Sequence, residues 1–251
     1  MAGGGGNTIL GYIADGLALM FDAENNAGLG MHSSDGSEWK DLSVNGCDAY
    51  VPTGKSAPVV NGNNIYFGSG NAYKIDLSSD LLAHNQRDTT IEVVSKCKNY
   101  VNNKNAMLFG FGPWISTRDW GAAMSLRKYM TGNQTNDYTG AWYRESQTYA
   151  NNNIYSSYMA LNTMTVSSWT VDSNLQQRVY GYGRLTRDEF VFPVTLQNFT
   201  FGYIGNSASN TDAPAYSEIY QIRFYSRALI ADEIAANYAV DKARFNLPDA
   251  T

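Results

Sequence analysis

Short runs of alternating or wholly apolar residues recur along most of this chain, and almost none of them keeps a helical spacing. They are "GLALMFDA" (16–23), "NNIYFGSGNAYKID" (63–76), "TTIEVVSKC" (89–97), "AMLFGFG" (106–112), "AAMSLRKYM" (122–130), "TMTVSSWTVD" (163–172), "LQQRVYGYGRL" (175–185) and "NFTFGYIGN" (198–206). In the third run Ile91, Val93 and Ser95 point one way and Glu92 and Val94 the other, the period of two that defines a strand. Many strands without helices between them build an antiparallel sandwich or barrel. The last periodic stretch, "EIYQIRFYSRALIADEIAANY" (218–238), changes period midway. Its strand half puts Tyr220, Ile222 and Phe224 on one face and Gln221, Arg223 and Tyr225 on the other. Its second half sets Ile230, Ile234 and Tyr238 four apart, which predicts one closing helix from 231 to about 243.

With 251 residues the chain can bury a large single core without disulfides or metals. It is rich in Tyr, Thr, Ser, Asn and Gly and only 16% charged, which suits strands joined by turns. A net charge of -5 gives no electrostatic reason to expect nucleic acid or an anionic membrane as partner. Cys47 and Cys97 follow no metal-binding spacing and read as free structural thiols, with a single disulfide as the alternative. The opening "MAGGGGNTIL" has neither the basic nor the apolar segment of a secretion signal, and no run approaches the ~20 apolar residues of a membrane span. We expect a flexible glycine-rich lead at 1–8, one domain at 9–247 and a tail at 248–251.

The search for reaction chemistry is largely negative. The nucleophile elbow, the P-loop, H-E-x-x-H and the dinucleotide-binding glycine motif are all missing. His32 and His84 lie in polar stretches without ligand partners and read as surface residues. Asp22/Glu24 and Glu38/Asp41 are carboxylate pairs at loop edges, where caps and turns are the ordinary use. Trp39 and Trp169 have apolar neighbours and read as core. Trp114, Trp120, Trp142 and Tyr143 sit among polar residues in "GPWISTRDWG" and "TGAWYRES", as aromatics that stack on sugars do. The loops "HSSDGSE" and "SASNTDAP" offer oxygens for calcium, with Asp35 and Asp212 as the candidate ligands.

Two segments resemble the ends of laminin-G-like, concanavalin A-like jelly-roll domains. "GLALMFDAENN…EWKDLSVNGCDAY" matches the family's opening through Trp39, Asp41, Leu42, Ser43, Asn45, Gly46 and Asp48, with Val44 and Cys47 departing from it. The closing stretch matches its strand and helix through Arg223, Tyr225, Arg227, Ala228, Leu229, Glu233, Ile234, Asn237 and Tyr238. Ile230 stands where the family carries a capping Ser or Thr, which breaks the capping box. The middle of the chain carries no motif of the family.

The resemblance implies an all-β, antiparallel two-sheet jelly-roll sandwich with one short C-terminal helix. It implies lectins, adhesion modules, glycoside hydrolases or virion components as functions, and the fold alone does not choose. The hydrolases' E-x-D-x-x-E strand is missing, so we expect no enzyme. The glycine-rich opening without a secretion signal is similar to versions in tailed-phage structural proteins. The expectation is therefore a virion surface, fibre or decoration protein assembled in the host cytoplasm, contacting other structural subunits and host glycans, with homo-oligomers in view. The alternative is a stand-alone carbohydrate-binding lectin of a bacterial surface or secreted protein.

Overall fold

The computed structural model describes residues 8–84, 87–99, 104–112, 124–130, 138–144, 151–158, 161–190, 198–206 and 214–249. The strands β1 (Thr8–Ile9) and β2 (Tyr12–Ile13) form a small ladder of their own. Next come β3 (Leu17–Asp22), β4 (Glu38–Trp39), β5 (Ala49–Tyr50), β6 (Val59–Asn61), β7 (Asn64–Phe67), β8 (Tyr73–Ile75) and a short helix α1 (Ser79–Ala83). Longer strands fill the middle: β9 (Thr89–Cys97), β10 (Lys104–Gly112), β11 (Met124–Met130), β12 (Tyr138–Arg144), β13 (Asn151–Tyr158), β14 (Met164–Val171), β15 (Gln176–Gly181) and β16 (Arg184–Phe190). The chain closes with β17 (Phe201–Ile204), β18 (Ser217–Tyr225) and helix α2 (Ala231–Phe245).

Two sheets pack face to face. The front sheet runs β13-β12-β11-β10-β17-β8-β5-β4, and the back sheet runs β16-β15-β14-β9-β18-β7-β6, with β3 also paired to β18. The paired strands are antiparallel. Consecutive strands often change sheet: β7 lies in the back and β8 in the front, joined across the turn at Gly68–Gly70. The expected jelly-roll sandwich is thus present, with its helix at the C-terminus. Between the sheets lies one apolar core that includes Phe21, Trp39, Phe67, Tyr73, Phe109, Phe111, Trp169 and Phe224. Phe111 stacks on Phe199 at 4.3 Å and meets Phe224 edge-on at 4.6 Å, joining the two sheets through aromatic contacts.

Helix α2 covers the outer face of the back sheet, and a buried polar network ties it there. Arg223 on β18 is almost fully buried; it donates to Glu92 on β9 at 2.8 Å and forms a fork with Asp241 on α2 at 2.8 and 2.7 Å. Burial works against its charge, yet Asp241 and Glu92 together hold the guanidinium pKa above its usual value. Tyr12 donates to Asp241 at 2.7 Å and lays its ring 4.1 Å from the guanidinium. Asn237 donates to Glu92 at 2.7 Å and to Tyr225 at 2.9 Å, and Ser168 donates to Glu92 at 2.9 Å. Fully satisfied networks of this kind fix one docking geometry.

Three expectations are corrected. Tyr220 does not share a face with Ile222 and Phe224: the register steps from Ile219↔Ser95 to Gln221↔Val94, so Tyr220 is the extra residue of a bulge. Its ring packs on Phe245 at 5.7 Å, under the helix. The capping box is half kept. Isoleucine has no acceptor to offer, but Glu233 still accepts from the Ile230 amide at 3.0 Å and grips Arg227 in a two-pronged pair at 2.8 and 2.6 Å. His84 is half-buried against Phe199 and Phe224, with Nε2 2.8 Å from the Thr89 hydroxyl, and burial pushes its pKa down. Cys47 and Cys97 are buried thiols that form no disulfide, as read from the sequence.

Candidate functional site

The helix covers the back sheet, while alternation along the front strands turns one side of each away from the core. Trp39, Ala49, Tyr73, Ile75, Ile204, Phe109, Phe111, Met124 and Leu126 all point inward. The residues between them line the outward face. Register then joins one residue from each strand into a single row: Glu38–Tyr50–Lys74–Tyr203–Gly110–Ser125–Trp142–Asn153. The row crosses the whole sheet.

Its best-defined part is a cluster on β5, β8 and β17. Tyr50 donates its hydroxyl to Asp76 Oδ2 at 2.8 Å, and Lys74 Nζ reaches Asp76 Oδ1 at 2.7 Å. These two bonds, the Lys74 one foremost, hold the Asp76 carboxyl below its usual pKa, and Asp76 in turn raises that of Lys74. The Lys74 ammonium stands 5.8 Å from the Tyr50 ring centroid. Beside them Tyr203 and Phe201 meet edge-on at 5.4 Å, both half-buried. Phe201 presses against Gly112, where a Cβ would stand 2.6 Å from its Cζ, so the ring needs a glycine beneath it. At the sheet edge Lys40 bridges Glu38 at 2.8 Å and Asp48 at 2.7 Å. Three strand spacings, about 14 Å, separate Tyr203 from the Trp142 position, with only the small Gly110 and Ser125 between them.

The sequence-derived candidates divide. Trp142 falls in the outward row, opposite Ser125. Tyr143 falls opposite Met124 in the register. Trp114, Trp120 and Asp212 lie outside the described residues. Asp35 is exposed, and its carboxylate accepts from the Ser37 amide and hydroxyl, both at 2.9 Å, in a local turn. Among the described residues, no group of three His, Cys, Asp or Glu converges to hold a metal. The weighed carboxylate pairs are structural: Asp22 binds Arg244 and Gln221, Glu24 binds Arg244, and Asp41 accepts from Met20, Ser43 and Cys47. Trp39 and Trp169 are fully buried, as expected.

Sequence reading missed Tyr50, Lys74, Asp76, Phe201 and Tyr203. The alternation in "AYKID" and "FGYIG" sets the last four opposite Ile75 and Ile204, which is the signal that marks them as outward, and Tyr50 joins them only through its register with Lys74.

No family model matches the chain, and no curated protein matches its sequence. Solved structures do. Trypanosoma rangeli sialidase in complex with sialic acid aligns at TM-score 0.65 and 16% identity, over 90% of this chain and 33% of that one. A mutant of HCR/D aligns at TM-score 0.67 and 11% identity, over 92% of this chain and 54% of that one. A botulinum neurotoxin type C structure, whose cell entry depends on interaction with two ganglioside molecules, aligns at TM-score 0.64 and 11% identity, over 89% and 51%. The chain spans from a third to just over half the length of these structures. At such identities the likeness establishes the fold alone, an antiparallel two-sheet sandwich of jelly-roll type.

The likeness corrects one expectation. Absence of an E-x-D-x-x-E strand was read as absence of an enzyme, but several of the matched structures are sialidases, so that motif does not decide the matter on this fold.

Proposed function

We propose that this sandwich is a glycan-binding module and that it binds through the outward face of the front sheet. The observation that carries the reading is the register row that brings Tyr50, Lys74, Tyr203 and the Trp142 position onto the face of the front sheet turned away from the core. Aromatic rings stack on the apolar faces of sugars, and the Lys74–Asp76 pair supplies a donor and an acceptor for hydroxyls. The likeness to a sialidase bound to sialic acid and to a ganglioside-dependent toxin supports the same reading.

The finer proposal is display on a virion surface, among other structural subunits and in homo-oligomers. It rests on the resemblance of residues 16–50 and 218–238 to laminin-G-like domains, a class that includes structural pieces of virions.

A glycan array tests the module. Wild-type protein, run in calcium and in chelator beside Tyr203→Ala and Trp142→Ala, is expected to give a specific signal that falls about ten-fold or more in Tyr203→Ala. A folded wild-type protein silent on every glycan, or signals untouched by both substitutions, refutes the assignment.

A further inference from the structure

Charge on the candidate face gives it a selectivity, an inference that rests on the glycan-binding reading above. We propose that the face selects glycans with uncharged, hydroxyl-rich termini over those ending in a carboxylate-bearing sugar, and that Asp76 makes the distinction.

Among the described residues the patch holds Glu38, Asp48 and Asp76 against Lys40 and Lys74, so three carboxylates meet two ammonium groups and one negative charge remains. Both ammonium groups already face carboxylates: Lys40 bridges Glu38 and Asp48, and Lys74 is bound to Asp76 at 2.7 Å. The order of exposure strengthens the bias. The Asp76 side chain is 68% exposed and that of Lys74 30%, so an approaching group meets the carboxylate first.

Hydrogen-bond capacity points the same way. Each Asp76 oxygen accepts one bond, from Tyr50 or from Lys74, and each keeps a lone pair for a further donor. A sugar hydroxyl can donate to Asp76 while its neighbour accepts from a remaining Lys74 N–H. A carboxylate has nothing to donate, and it brings like charge against Asp76. The preference is therefore opposite in charge to the sialic acid held by the aligned sialidase.

Matched pairs of immobilised glycans test this, lactose and its sialylated counterpart among them, with wild-type protein and Asp76→Asn. Wild type is expected to bind the asialo member of a pair at least about ten-fold more tightly. Asp76→Asn is expected to narrow that ratio to within about three-fold, and raising salt to 0.5 M to narrow it in wild type, roughly halving the screening length. Tighter wild-type binding of the sialylated members overturns the selectivity but leaves the glycan reading standing, and so does a ratio unmoved by Asp76→Asn. Failure of folded wild type to bind either member of any pair overturns both.

Discussion

Gly205, at the end of β17, shows how little room single residues have in this core. Its φ of +79° is a conformation side chains rarely adopt, and a Cβ there would stand 1.9 Å from Cδ1 of Phe67. Gly205→Ala is expected to cost at least about 2 kcal/mol in urea unfolding; an unchanged midpoint would contradict this packing. Lys128, on β11, is an opposite case: a long charged side chain fully buried, with no hydrogen-bond partner for its ammonium among the described residues. Burial pushes its pKa down to about 8. The unfolded lysine keeps its proton to about pH 10.5, so between these values the unfolded state binds more protons and stability rises with pH. Below pH 8 the whole penalty is present. Lys128→Met is thus expected to stabilise the protein by about 2 to 3 kcal/mol at pH 7, with the gain fading between pH 8 and 10. A gain independent of pH would mean that the lysine's charge is not what costs stability. Neither residue was legible from sequence, and nor was the environment of His84, since Phe199 and Phe224 come from distant strands.

The closing strand and helix were legible because periodicity alone specifies them: two residues per repeat up to Tyr225, then four-residue spacing from Ile230. What joins them to the sheet was not. Arg223 meets Glu92 across 131 residues of sequence, and no local pattern announces that pair. Arg223→Ala is expected to cost about 3 to 5 kcal/mol, because it leaves Glu92 and Asp241 buried without their counter-charge. Loss of less than about 1 kcal/mol in chemical unfolding would show that water or neighbouring groups compensate them. The bulge at Tyr220 has the same character, since strict alternation cannot show where one residue is skipped. Strands β12 and β13 were missed for another reason: "YTGAWYR" and "NNNIYSSY" carry little apolar alternation, only the Tyr, Thr, Ser and Asn that loops also use.

At the scale of the whole molecule, the two-sheet sandwich was legible from strand density and from the resemblance of the two ends, but the binding face was not. The sequence singled out Trp142, whereas Tyr50, Lys74 and Tyr203 join it only because the front sheet orders β12, β11, β10, β17, β8 and β5 side by side. The account's central claim is that this face of the front sheet, and not the helix-covered one, meets the ligand. Amide hydrogen exchange with and without the strongest-binding array glycan tests it most directly. Slowed exchange at residues 49–50, 73–76 and 201–204, with 231–245 unchanged, is the predicted result; slowing confined to 231–245 and the back sheet would contradict it.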